Sequence, residues 1–248
     1  MASLPAESVD AIITSPPYAM QRKTTYGGIP EADYPAWTVA WMNEARRLLK
    51  PDGSVLINIR PHIRNGQISD YTLRTRLALR DAGWNEVDEL IWHKTDAMPT
   101  GSPRKPRRSW ESIHWFAKHG QPWSDAKANG NVAHSPGKGR YAGKADSEGW
   151  DHGISGGNTR PAWSRSADIV SLPKVSRWET VEHPAPFPWQ LAEWCGKLIC
   201  PPGGTILDPF SGSASTGVAA IRNGWYYIGI DAVAEYTDMA AARLAAAA

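Results

Sequence analysis

Thr205-Ile206-Leu207-Asp208-Pro209-Phe210-Ser211-Gly212-Ser213-Ala214-Ser215-Thr216-Gly217 opens as a short apolar strand, bends through small residues and continues as a helix. Gly229-Ile230-Asp231 follows about 20 residues after the glycine loop, giving strand, loop, helix, strand and acid. In a nucleotide-binding α/β sheet this layout brings backbone amides and a helix N-terminus beside a cofactor, and the acid ending the next strand binds ribose hydroxyls. Asp231 is the candidate for that acid. The stretch has neither the G-x-G-x-x-G fingerprint nor a Gly-Lys-Ser/Thr ending, so a cofactor without a pyrophosphate suits it better. Close helix packing also calls for small residues, which leaves a structural reading open for the turn alone; the spacing of the acid favours the cofactor.

The elements on either side extend the alternation. Val9 to Thr14 is an isoleucine-rich apolar run that stops at a double proline, as a buried parallel strand does. Trp37, Trp41, Ala45 and Leu48 recur at helical spacing between Tyr34 and Leu49. The pattern breaks at Lys50-Pro51-Asp52-Gly53, before a strand from Ser54 to Ile59. Tyr71 to Ala82 reads as a helix, and Trp84 to His93 and Trp110 to Lys118 as strands. Later come a helix from Trp189 to Ile199, the strand Thr205 to Leu207, a helix after Ser215, a strand from Trp225 to Ile230 and an alanine-rich last helix. Alternating strands and helices predict an α/β sheet.

From about Ala97 to Trp178 the pattern fails: glycine, proline, serine and asparagine are frequent, and Arg104, Lys105, Arg107 and Arg108 form a basic cluster. The expectation is one domain over 1–248 with a loop-rich insertion at 97–178. The cluster reads equally as a solvated loop or as a phosphate contact. A formal charge of +2 is neutral on a polyanionic partner. Thirteen tryptophans against three phenylalanines offer amphipathic rings, and Trp110, Trp123, Trp150, Trp163 and Trp178 are each read as packing residues. His62, His93, His114, His134 and His152 lack motif spacing. Cys195 and Cys200 are spaced unlike a zinc pair, so neither a metal site nor a disulfide framework is expected. The N-terminus shows no basic region followed by an apolar run, and no stretch approaches the ~20 apolar residues of a membrane span. Neither secretion nor membrane insertion is indicated.

Ser15-Pro16-Pro17-Tyr18 follows the first strand. Two prolines stiffen an extended turn that can aim a serine hydroxyl, a backbone carbonyl and an aromatic ring at one spot, where a flat amino-bearing base fits. As a bare tetrapeptide it reads more commonly as a surface turn.

In combination, Asp10 through Tyr18, then His183-Pro184-Ala185-Pro186-Phe187-Pro188, then Asp208 through Ser213, then Gly229-Ile230-Asp231 resemble the amino-methyltransferase family of DNA-modifying enzymes. The arrangement is the permuted one, with the catalytic motif ahead of the cofactor motif, and the resemblance covers most of the chain. It implies a Rossmann-like α/β methyltransferase sheet, mostly parallel with helices on both faces, and a target-recognition role for the loop-rich insertion. It implies S-adenosylmethionine as cofactor and double-stranded DNA as partner, with methyl transfer to an exocyclic amine of a base swung out of the duplex. Ser15 and the Pro16 carbonyl would hold the amine's hydrogens, Pro17 would stiffen the loop and Tyr18 would stack on the base, with no covalent enzyme intermediate. Pro186 and Phe187 would lie against the cofactor, Asp208, Pro209, Phe210, Gly212 and Ser213 would form its loop, and Asp231 would hold its ribose. Asp208 also reads as a cap for the loop's amides. Within the family, phosphate contact becomes the better reading of Arg104, Lys105, Arg107 and Arg108.

Serine in the first position of the tetrapeptide is usual in the family's cytosine-N4 enzymes, whereas the adenine-N6 enzymes more often carry aspartate or asparagine. Cytosine N4 is therefore the expected target; an adenine-N6 enzyme and a non-catalytic DNA-binding relative are the alternatives. The resemblance further implies a bacterial, archaeal or phage-encoded cytoplasmic protein, with a restriction endonuclease acting on the same site as a partner. Ile91-Trp92-His93-Lys94 and Glu111-Ser112-Ile113-His114 with Lys118 also resemble family segments, without defined roles. The chain departs from the pattern in two places. Ala214 and Ser215 stand where glycine and threonine are usual, an exchange expected to adjust packing only. Relatives carry an extra strand and short helix before the catalytic strand, so the adenine pocket is expected to be incomplete or differently built.

Overall fold

Val9–Thr14 forms β1, the strand around which the sheet is organised, in a computed structural model that describes residues 1–21, 27–98, 103–130, 164–174 and 187–247. After it come helix α1 (Tyr34–Leu48), β2 (Leu49–Ile59), β3 (Ile63–Arg64), β4 (Gln67–Ile68) and α2 (Tyr71–Asp81). Next are β5 (Asn85–Lys94), β6 (Trp110–Ala117), β7 (Ile169–Leu172) and α3 (Trp189–Ile199). The chain continues through β8 (Thr205–Asp208), α4 (Ser215–Asn223), β9 (Tyr226–Gly229) and α5 (Ala234–Ala247).

Seven strands pair in the order β7-β5-β6-β2-β1-β8-β9. β1 pairs in parallel with β2 and β8, β8 with β9, and β5 with β7; β6 runs antiparallel to both its neighbours. The chain winds from β1 to β2 in one direction and from β8 to β9 in the other. The loops leaving β1 and β8 therefore diverge and open a crevice at the switch point. Because β6 is reversed, its beginning lies at the same edge as the ends of β1, β2, β5 and β8.

Both faces of the sheet are covered, which is why its strands read as continuous apolar runs. Ile12, Val55, Ile57, Phe116 and Leu207 pack on one side with Tyr34, Trp41, Met42, Ala45 and Leu48 of α1 and Tyr71 and Leu79 of α2. The alternate residues Ala11, Ile13, Leu56, Ile113, Trp115 and Ile206 pack on the other with Leu191, Cys195, Leu198 and Ile199 of α3 and Ala220 of α4. Asp10 pins the start of β1 to both neighbours: its carboxylate accepts from Lys50 Nζ at 2.7 Å and from the Thr205 amide at 2.8 Å.

Three elements differ from the sequence expectation. The break at Lys50-Pro51-Asp52-Gly53 lies within β2, because Val9 aligns with Leu49 and Ala11 with Ser54, so the extra residues form a bulge. β7 lies in the stretch read as loop-rich; only four residues long and paired on one side, it has too little length for a period. β3 and β4 form a two-residue hairpin through Asn65 and Gly66, both left-handed at φ 51° and 77°, the Asn-Gly pattern such turns favour.

The chain divides into two compact units, Met1–Ser124 with Asp168–Ala248, and Asp125–Ala167. In the second, the Asp125 side chain accepts from the Lys127 and Ala128 amides, and the Ser166 amide donates to the Ala126 carbonyl.

Candidate active site

A buried carboxylate joins the two loops of the crevice. Asp208, 1% exposed at the end of β8, accepts from Thr14 Oγ1 at 2.6 Å and the Phe210 amide at 3.1 Å through Oδ1, and from Thr216 Oγ1 at 2.8 Å through Oδ2. Thr14 ends β1 and Thr216 lies in the first turn of α4, so one side chain fixes β1, the loop after β8 and α4 together. Burial pushes Asp208 up to about 6, against the lowering by its three donors. Its oxygens are occupied inside the protein, which is the capping reading of this residue.

The loop after β1 is held from both sides. Pro16 is buried, and Tyr34 Oη of α1 donates to the Pro17 carbonyl at 3.0 Å, one residue beyond the carbonyl assigned to the base. Tyr18 Oη donates to Glu111 Oε2 at 2.9 Å, and the Ser15 hydroxyl stands beside the same phenol. Burial first, then the Glu111 charge, holds the Tyr18 phenol well above its ordinary range, so it stays protonated and neutral. Glu111 also accepts from Asn58 Nδ2 at 3.1 Å and pairs with Lys94, with Arg60 Nη1 at 3.9 Å. Burial lowers the Lys94 pKa while Glu111 opposes the shift.

The small-residue loop after β8 lies against the end of β9. Gly212 takes φ +49°, and its amide donates to Asp231 Oδ2 at 2.8 Å; Asp231 Oδ1 accepts from the Val233 amide at 3.0 Å. The Ser211 amide donates to the Ile230 carbonyl at 2.9 Å. Gly229 leaves room for that approach: a Cβ there would lie 2.9 Å from Ser211 Oγ and 2.6 Å from Tyr227 Oη, and those side-chain ends would have to shift. Arg243 of α5 closes the other side, donating to the Ser213 carbonyl at 2.9 Å and to Ser215 Oγ at 3.1 Å. Ala214 is left-handed, with φ 58° and ψ 41°, so alanine in the usual glycine position carries a backbone cost of about 1–2 kcal/mol rather than a packing change alone. Pro209 is buried, and the Phe210 ring packs against α1, tilted 5.5 Å from Trp37 and edge-on 5.3 Å from Trp41. Phe187 is half-buried against the core on the α3 side, whereas Pro186 lies outside the described residues.

The basic cluster splits into two environments. Arg104, Lys105 and Arg107 are exposed; Lys105 Nζ donates to the Gly66 carbonyl at the hairpin tip (3.2 Å), and Arg107 Nη1 to the Ala97 carbonyl (3.2 Å). Arg108 is half-buried near Arg60 and Glu111, and burial with the neighbouring Arg60 charge lowers its pKa. Trp110, expected to pack, is 47% exposed at the same edge. His62 pairs with Glu31 at 2.7 Å and His93 Nδ1 lies 3.1 Å from Ser171 Oγ; His134, His152, Trp150, Trp163 and Trp178 lie outside the described residues.

Sequence reasoning missed Asn58, Arg60 and Arg243, and left Lys94 and Glu111 without roles. Lys94 and Glu111 are 17 residues apart and Glu111 and Tyr18 are 93, so no local spacing links them.

Residues 9–242 match the family model described as DNA methylase. The Type II methyltransferase M.PvuII of Proteus hauseri is 27% identical over 97% of this chain and 79% of its own length. The Type II methyltransferase M2.DpnII of Streptococcus pneumoniae is 29% identical over 99% of this chain and 86% of its own length. Among solved structures, the PvuII DNA methyltransferase (cytosine-N4-specific) superposes with a TM-score of 0.73 at 23% identity, over 98% of this chain and 81% of that one. The M1.HpyAVI–SAM complex superposes with a TM-score of 0.63 at 24% identity, over 96% of this chain and 89% of that one.

Proposed function

Because the chain belongs to the DNA methylase family, we propose that it transfers a methyl group from S-adenosylmethionine to the N4 amino group of cytosine in double-stranded DNA. The observation that carries the reading is Ser15-Pro16-Pro17-Tyr18 at the end of β1, facing the small-residue loop after β8 across the switch point. Serine rather than an acid at its head favours cytosine, and the similar PvuII DNA methyltransferase is cytosine-N4-specific.

The donor set fits the cofactor. Asp231 follows the end of β9, and the loop is built of small residues and braced by Arg243, which donates to the Ser213 carbonyl and Ser215 Oγ. When bound, S-adenosylmethionine supplies an electrophilic methyl group. Asp231 would hold its ribose, Gly212 and Ser213 its loop-side face, and Pro186 and Phe187 the facing side. On the base side, Ser15 Oγ and the Pro16 carbonyl accept hydrogen bonds from the exocyclic amine, orienting its lone pair and raising its electron density. Tyr18 stacks on the flipped ring as a neutral phenol.

The region 97–178 is the target-reading part of this proposal. Lys105 and Arg107 at its start are exposed at the catalytic edge and suited to backbone phosphates; Arg104 shares their exposure, and Arg108 faces inward beside Arg60. The finer reading adds a cytoplasmic location and an endonuclease blocked by the same methylation. Among the described residues, no helix is long and apolar enough to cross a membrane.

The test is methylation of a mixed-sequence plasmid with labelled cofactor, followed by digestion to nucleosides. N4-methylcytosine is the expected product, with a loss of about 100-fold in Ser15→Ala. N6-methyladenine in its place would refute the base assignment, and no labelled nucleoside would refute the activity.

A further inference from the structure

Glu111 is 7% exposed, at the beginning of β6, and its two oxygens serve groups from separate parts of the chain. Oε2 accepts from Tyr18 Oη at 2.9 Å and Asn58 Nδ2 at 3.1 Å; Oε1 pairs with Lys94 Nζ, itself 7% exposed, and has Arg60 Nη1 3.9 Å away. A carboxylate this deep is tolerated only when paired, and Lys94 supplies the paired charge. In this arrangement the Tyr18 hydroxyl is the donor and the Glu111 carboxylate oxygen the acceptor. The neutral tyrosine ring has two soft torsions, and a hydrogen bond at its far end restrains both. A stacking surface orients a base only when its own plane is set. Asn58, Lys94 and Glu111 lie at the edges of β2, β5 and β6, whereas the residues assigned to the cofactor loop and ribose follow β8 and β9.

We infer that Glu111, paired with Lys94, is the positioning residue that sets the plane of the Tyr18 ring against the target base. The inference rests on the methyltransferase reading above. Its signature is one-sided: loosening the Tyr18–Glu111 bond disturbs the base and leaves cofactor binding intact.

Tyr18→Phe removes only the hydroxyl, keeping the ring and the Glu111–Lys94 pair, and is the variant least exposed to misfolding. Glu111→Gln and the double variant complete a cycle. Each protein is assayed for kcat and for cofactor affinity by calorimetry. Each is also mixed with a duplex carrying 2-aminopurine at the base that wild-type protein methylates in a plasmid. Tyr18→Phe should lower kcat about 10- to 100-fold, the range for a hydrogen bond to a charged group, with cofactor affinity within about twofold. Quenching of the flipped 2-aminopurine by the ring should weaken in step with kcat. The double variant should be no worse than the poorer single one. Wild-type kcat and quenching in Tyr18→Phe would overturn the inference, as would effects that multiply in the double variant or a parallel loss of cofactor affinity. A wild-type protein that methylates no base overturns the underlying function as well, and the plasmid assay reads that separately.

Discussion

Replacing Asp208 by asparagine should stabilise the protein above pH 6 and leave it nearly unchanged below pH 4. Burial raises this carboxyl from its ordinary 3.8 to about 6, so between those values the unfolded chain has released a proton that the folded chain retains. With a folded-state pKa above the unfolded one, stability falls as pH rises through this window. The displacement of about two units corresponds to about 3 kcal/mol, fully expressed above pH 6. Asparagine is isosteric and has no proton to lose. Its Oδ1 can keep the donors Thr14 Oγ1 and the Phe210 amide, while its amide group donates to Thr216 Oγ1. The Thr216 proton then turns to the Ile13 carbonyl, already 3.4 Å away, so no buried group is left unpaired. His114 contributes an opposite slope: burial, then Arg76, depress it to about 4 against the pull of Glu89, so stability from this group is lost as pH falls from the ordinary 6.5. A wild-type pH profile would therefore mask both groups, and the variant-minus-wild-type difference isolates Asp208. Urea unfolding followed by tryptophan fluorescence at pH 4.5, 5.5, 6.5 and 7.5 measures it. A variant less stable than wild type at pH 7.5, or a difference that does not grow with pH, would refute the reasoning.

Two further substitutions probe the walls of the crevice. Asp231→Ala should weaken S-adenosylmethionine binding about 10- to 100-fold in calorimetry, because it removes the ribose acceptor and the partner of the Gly212 amide; unchanged affinity would remove Asp231 from the cofactor site. Lys105→Ala should reduce the slope of log DNA affinity against log salt by about 1, measured by fluorescence anisotropy, and an unaltered slope would exclude a phosphate contact there.

What was legible in the chain follows from how its strands are buried. β1, β2 and β8 are covered on both faces, so Val9–Ile13 and Thr205–Leu207 stand out as apolar runs, and the helices between them carry the longer period. The stretches proposed as cofactor loop and catalytic tetrapeptide stand out in the sequence because each is contiguous. β7 was not, since four residues on an edge carry no pattern of their own. Asn65-Gly66 was a usable hairpin signal, but its flanks of two residues each fall below the length at which alternation is visible. The Glu111 hub and the Arg243 clamp depend on partners brought together by the fold, and chemical type alone does not connect them. Ala214 shows the reverse case: the sequence marks it as a departure from the family pattern, and its cost appears only with the backbone torsion.

The tie between Thr14 and Asp208 spans 194 residues of chain, and that between Asp10 and Thr205 spans 195. During synthesis at 5–20 residues per second, β1 therefore waits roughly 10–40 s for the strand that covers its second edge. Over that interval Val9–Thr14 can pair on the β2 side only, leaving the other row of backbone donors and acceptors of an apolar strand open to another chain. The crevice cannot assemble piecemeal as the polypeptide emerges, and the nascent protein's exposure to mispairing is greatest at β1.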